Sequence, residues 1–201
     1  MLESVTLLSI VQLIGVVFGA LQVWYAKENK VVNYLFGIVS ILITISVYYS
    51  SGLYAEIFLN LYYLLMSIYG WWYWKNRGAE KETPITYSSM IQWTQAAGLV
   101  LVTFLVFYFS LIKLTDSDVP MWDSLVTAFA WGGMWLLAKR KMENWIFLNV
   151  SNLISIPLLI YKELYIYAGF TVFLFAIAIF GYFNWRKIVR SQKSQSYEVN
   201  R

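Results

Sequence analysis

The chain contains no cysteine and no histidine in 201 residues. Those two absences exclude thiolate metal sites, cysteine nucleophiles, Ser-His-Asp triads and histidine proton relays. No Walker-type phosphate loop occurs either. Charge is scarce: Asp, Glu, Lys and Arg make up 13% of the residues, against about 25% in an ordinary soluble domain. The chain is therefore not read as an enzyme, and nothing in it calls for a metal or a cofactor.

What remains is apolar. Hydrophobic residues make up 60% and aromatic residues 19%, with a mean hydropathy of +0.59. A membrane helix takes roughly 20 apolar residues. The runs predict seven spans, at 4–26, 31–50, 53–74, 90–112, 121–138, 143–161 and 164–185. The fold class expected is an all-α integral membrane protein with seven transmembrane helices. Met1-Leu2-Glu3 enters the first span without a basic n-region, so no cleaved leader is expected.

The loops orient it. Of the 15 Lys and Arg, only Lys113 and Lys162 fall on one side. The other 13, from Lys27 and Lys30 to the tail after Arg186, fall on the other. Positive loops stay in the cytoplasm, which puts the N-terminus outside and the C-terminus inside. The net charge of +4 thus reports topology, and no nucleic-acid partner is expected.

The chain is also written twice. Residues 24–75 shifted by 111 positions fall without a gap on residues 135–186. Trp24, Lys30, Asn33 and Ser40 meet Trp135, Lys141, Asn144 and Ser151; Gly70 and Trp74 meet Gly181 and Trp185. The shift crosses four spans, so both copies enter the membrane in the same sense: a 3+1+3 parallel repeat. Residues 1–75 form the first three-helix repeat, and 76–114 a cytoplasmic loop and linker helix. Residues 115–186 form the second repeat, and 187–201 a polar tail that frays. Internal repeats of this kind are a mark of transporters, with substrate held between the halves.

No acid lies deep in a span. Glu56, Asp123 and Glu143 sit near span ends, where Glu56 and Glu143 read as interfacial carboxylates hydrated by headgroup water. Ion coupling usually keeps such groups at membrane depth, so passive diffusion is the simpler mechanism. Most Trp, among them Trp74, Trp145 and Trp185, lie near the cytoplasmic interface and read as belt anchors. The uncharged polar residues mark faces. Asn60, Tyr63 and Ser67 share one face of span 3; Trp145, Asn149 and Asn152 share one face of span 6. Such residues either bond helix to helix or line a polar cavity roofed by aromatics. That cavity would suit a flat, polar, cationic heterocycle.

The run Leu53-Tyr54-Ala55-Glu56 through Asn60-Leu61-Tyr62-Tyr63 to Gly70-Trp71-Trp72-Tyr73-Trp74 resembles the first-half signature of the PnuC family of bacterial vitamin transporters. Met121-Trp122-Asp123-Ser124, Met142-Glu143-Asn144-Trp145 and Phe180-Gly181-Tyr182-Phe183-Asn184-Trp185 resemble its second half. The resemblance implies a seven-span carrier, similar in plan to SWEET sugar facilitators. It implies nicotinamide riboside or thiamine as small-molecule substrate, taken up passively into a bacterium across its cytoplasmic (inner) membrane. Trapping by a cytosolic kinase and a homo-oligomer, a trimer, are implied as well. Asp123, in the Trp-Asp pair at the outer mouth, would attract a cationic substrate. The substrate contacts expected are Asn60, Tyr63, Asp123, Trp145, Asn149 and Asn152. Two positions depart from the family pattern. Leu148 stands where members that carry nicotinamide riboside place a second Trp, and Asn60 stands where many place Gln. Nicotinamide riboside comes first by the resemblance, and thiamine stands beside it because of Leu148. A non-transporting assembly subunit is the reading from another class. A SWEET-type sugar carrier would need a proline tetrad, and only Pro84, Pro120 and Pro157 are present.

Overall fold

The computed structural model describes residues 2–50, 54–76 and 83–199. Leu53, residues 77–82 of the polar loop, the side chain of Glu56 and the last two residues of the tail lie outside that description. Seven helices follow one another: α1 (Leu2–Lys27), α2 (Asn33–Ser50), α3 (Tyr54–Asn76), α4 (Met90–Leu114), α5 (Pro120–Ala138), α6 (Asn144–Tyr161) and α7 (Tyr165–Val199). Each predicted span lies on one of them. The polar tail is not frayed: α7 carries it on as helix to Val199.

Among the described residues, α1, α2, α4, α6 and α7 are long and apolar enough to cross a membrane. α3 and α5 are less apolar for a chemical reason. α3 is crowded with Tyr and Trp, and α5 carries Asp123, Ser124 and Gly132-Gly133. Side chains of these kinds lower a helix's hydropathy without barring it from the bilayer.

The chain forms two compact units, Met1–Thr83 and Pro84–Arg201. In the first, α2 packs against both α1 and α3; in the second, α6 packs against α5 and α7, and α4 lies on α5. The reason α4 can lie so close is Gly132. A Cβ there would come within 2.8 Å of Val100 and 3.0 Å of Phe147. Ala96 of α4, Leu136 of α5 and Phe147 of α6 close a small core at that point.

The repeat read in the sequence returns as repeated contacts within the two units. α1 ends in a Schellman turn, with Lys30 N–H donating to Tyr25 O and Asn29 N–H to Ala26 O, both at 2.9 Å. α5 ends the same way, Lys141 to Leu136 and Arg140 to Leu137, again at 2.9 Å. The left-handed residue of each turn is Asn29 (φ 58°) or Arg140 (φ 57°). Asn33 Nδ2 then donates to Lys30 O at 2.7 Å, and Asn144 Nδ2 to Lys141 O at 2.5 Å. Higher up, Ser40 Oγ donates to Gly15 O and Ser151 Oγ to Val126 O, each at 2.8 Å. Phe18 tilts on Phe36 and Phe129 on Phe147, both with centroids 5.8 Å apart. These pairs extend the repeat into the first helix of each half, beyond the stretch where sequence identity marks it.

One contact is exchanged between the copies. A Cβ on Gly37 of α2 would lie 2.7 Å from the side chain of Gln22 on α1. At the same place in the second copy the glycine is Gly133, on α5. There a Cβ would lie 2.7 Å from Leu148 of α6. One bulky side chain over one missing side chain fills each notch, from opposite helices.

Candidate functional site

α6 starts where the Schellman turn of α5 has reversed the chain, and its first turn is tied down from outside. Thr86 N–H donates to Arg140 O at 3.3 Å, and Met142 N–H donates to Thr86 O at 3.0 Å. Lys141 Nζ donates to Thr86 Oγ1 at 2.7 Å. Glu143 accepts from Ser88 N–H at 3.0 and 3.1 Å and from Ser88 Oγ at 2.7 Å. Glu143 is thus buried and bonded to the loop before α4. The expected headgroup-hydrated carboxylate is corrected by a backbone partner 55 residues away. Beside this strap, partial burial holds the Lys139 ammonium below its ordinary range, with Nζ 4.2 Å from the Trp135 ring centre.

Trp145 follows two residues later and is 1% exposed. Its ring stands edge-on to Trp185, with centroids 5.4 Å apart. It fits only because residue 181 is glycine: a Cβ there would lie 2.7 Å from the indole. The first copy builds the same seat from Tyr34, Gly70 and Trp74, with ring centroids 5.1 Å apart. Trp74, Trp145 and Trp185 are buried, so the belt-anchor reading is corrected for these three. They lock the third helix of each repeat to the second.

Trp145 also borders a groove of about 370 Å³ between α6 and α7. Ile146, Asn149, Val150 and Leu153 line it from α6; Phe175, Ile179, Tyr182 and Phe183 line it from α7. Two of the lining residues also carry polar atoms buried behind this apolar wall. Trp145 Nε1, a donor, and Asn149 Oδ1, an acceptor, are both buried without a hydrogen-bond partner among the described residues. They sit one helical turn apart. A buried polar atom left unpaired costs about 1–3 kcal/mol, a cost relieved by any ligand that supplies the partner. A donor and an acceptor on residues one turn apart are the kinds of group that a primary carboxamide or an aminopyrimidine edge would use. The aromatic side chains add ring faces for stacking or for a cation.

Of the six predicted contacts, the structure brings Trp145 and Asn149 together in this groove. Asn152 is half-buried on α6 and does not line it. Asp123 lies at the other end of the unit. Lys162 Nζ holds both its carboxylate oxygens, at 2.9 and 2.8 Å, and Ser117 Oγ donates to it at 3.2 Å. Its carboxylate is already paired with an ammonium. Asn60 and Tyr63 belong to the first unit, half-buried on α3. Tyr63 meets Tyr62 edge-on at 6.1 Å. Ser67, one turn on, is fully buried with its Oγ unpaired.

Sequence reasoning missed the α7 wall. Phe175, Ile179 and Tyr182 recur at i, i+4 and i+7, a helical face, but aromatics on a membrane helix look the same whether they meet lipid or a ligand. Leu148 does not enter the groove; it fills the notch over Gly133 on the side facing α5.

Comparison with known proteins follows the same lines. The profile of the family described as nicotinamide mononucleotide transporter matches residues 9–187. The chain is 23% identical to the nicotinamide riboside transporter PnuC of Escherichia coli (strain K12), across 94% of this chain and 90% of that one. It is 26% identical to the protein of the same name from Neisseria mucosa, across 90% of this chain and 74% of that one. A crystal structure of the vitamin B3 transporter PnuC superposes with a TM-score of 0.72 at 24% identity, across 91% of this chain and 83% of that one.

Proposed function

The chain belongs to the nicotinamide mononucleotide transporter family, membrane carriers and not enzymes, and on that premise we propose that it carries nicotinamide riboside by facilitated diffusion. The observation that supports this reading is the α6–α7 groove. Two of its lining residues, Trp145 and Asn149, carry a donor and an acceptor, Nε1 and Oδ1, of the kinds that the carbonyl and amino groups of a carboxamide would need. The ring faces of Phe175, Tyr182 and Phe183 suit a cationic pyridinium. The mononucleotide is the weaker choice. Its phosphate needs cationic or clustered N–H partners, and no Lys or Arg lines the groove among the described residues. Thiamine is the second reading, because an aminopyrimidine edge offers the same acceptor and donor and Leu148 adds no ring to the groove.

Asn60, Tyr63, Asp123 and Asn152 remain proposed contacts at other stages of passage. The chain is proposed to lie in a bacterial cytoplasmic membrane with its C-terminus inside, as a homo-oligomer. A cytosolic kinase would make net uptake one-way. Calorimetry on the purified protein against nicotinamide riboside, its mononucleotide and thiamine tests the reading. Riboside alone should bind, and Asn149→Leu should weaken it by about tenfold or more, the loss from one buried polar partner. Binding of thiamine alone, or riboside binding indifferent to Asn149→Leu, would overturn it.

A further inference from the structure

The groove is not the only pocket on α6. A second, of about 470 Å³, lies toward the helix C-terminus, lined by Val119 and Trp122 of the α4–α5 side and by Leu153, Ile154, Pro157, Leu158 and Tyr161 of α6. Leu153 lines both pockets and is 59% exposed. The groove uses α6 from Trp145 to Leu153, and the second pocket uses it from Leu153 to Tyr161. The two stand end to end along one helix, with one leucine between them.

The second pocket is lined by apolar and aromatic side chains, and charged groups adjoin the lining residues Trp122 and Tyr161. Trp122 and Tyr161 give it two exposed aromatic rings. Tyr161 OH donates to Asp118 at 2.9 Å, and Asp123 follows Trp122 directly. Asp123 is held by Lys162, the residue after Tyr161, in a pair whose side chains are 33% and 26% exposed. A partly exposed pair of this kind is weak and screened by salt. The Lys162 ammonium is therefore a resident cation that an arriving one can replace without changing the charge of the site. The second pocket also contains a proline. Pro157 has no N–H to give the Leu153 carbonyl, its partner four residues back. A backbone acceptor is thus released from the helix ladder at the partition itself.

We propose that the pocket at the C-terminal end of α6 is a second, weaker site for flat organic cations, loaded by exchange with Lys162, and that Leu153 separates it from the groove. This rests on the transport reading above. Leu153→Trp enlarges the partition. It should slow counterflow of nicotinamide riboside in proteoliposomes by about tenfold or more, as blocked passage would. Lys162→Gln removes the competing cation and should lower the half-saturating concentration of the riboside by about threefold; Asp123→Asn should raise it by a similar factor. The uncharged dihydro form of the riboside should respond to neither. Lys162 is surface-accessible, so the charge variants decide the matter if Leu153→Trp does not fold. Riboside binding and counterflow in the unaltered protein, together with variants that leave both unchanged or shift charged and uncharged forms alike, would overturn the two-site inference alone. No binding or counterflow in the unaltered protein would instead sink the transport reading, and this inference with it.

Discussion

Gly181 shows how much one missing atom decides. Its bare Cα is the floor on which the Trp145 ring rests, and a methyl group there would lie 2.7 Å from the indole. Gly181→Ala should cost about 1–3 kcal/mol, the usual penalty for overpacking. It should also weaken ligand binding, because the displaced ring borders the groove. Gly70→Ala meets Tyr34 in the same way. It should cost similar stability with binding in the α6–α7 groove unaffected. Melting temperatures and calorimetry on both variants check the pair. Glu143 makes a parallel case for charge. It accepts from both Ser88 N–H and Ser88 Oγ. Glu143→Ala should destabilise by about 1.5–3 kcal/mol, the range for hydrogen bonds to a charged group. Ser88→Ala, which keeps the backbone bond, should cost less.

Between helices, the matched serines give an internal control that few chains offer. Ser40 reaches from α2 to α1 and Ser151 from α6 to α5, each at 2.8 Å to a backbone carbonyl 25 residues earlier. Polar contacts between membrane helices average about 0.6 kcal/mol and reach about 1.7. Ser40→Ala and Ser151→Ala should therefore lower stability by small and nearly equal amounts in a steric-trap or denaturant titration. A large difference would mean that the two halves do not share one packing mode. The strap of residues 84–88 breaks the equivalence. Val32 stands where Glu143 stands in the second copy, so α2 has no carboxylate to receive such a strap.

For the molecule as a whole, the lack of cysteine makes sidedness simple to read, since any thiol introduced is the only one. Asp116→Cys and Lys187→Cys, both exposed, should label with a membrane-impermeant maleimide in intact cells and only after permeabilisation, respectively. The reverse pattern would invert the charge-based orientation. At this scale the sequence was most legible. Apolar run lengths placed all seven helices, and a few matched polar residues exposed the duplication. The groove was legible only in part. Trp145 and Asn149 announced themselves as polar or aromatic groups on one face, while Phe175, Ile179 and Tyr182 were indistinguishable from lipid-facing side chains. The Glu143–Ser88 contact joins residues 55 positions apart, and no periodicity reports such a pairing. The exchanged notch carries a historical consequence. Two newly duplicated halves begin identical, so at least one of Gln22 over Gly37 and Leu148 over Gly133 arose after duplication. The way between them passes through two bulky residues or two glycines. A void of that size costs about 2–5 kcal/mol and a clash about 1–3. Descendants should rarely be caught between, and positions 22 with 37, and 133 with 148, should change in concert across related sequences.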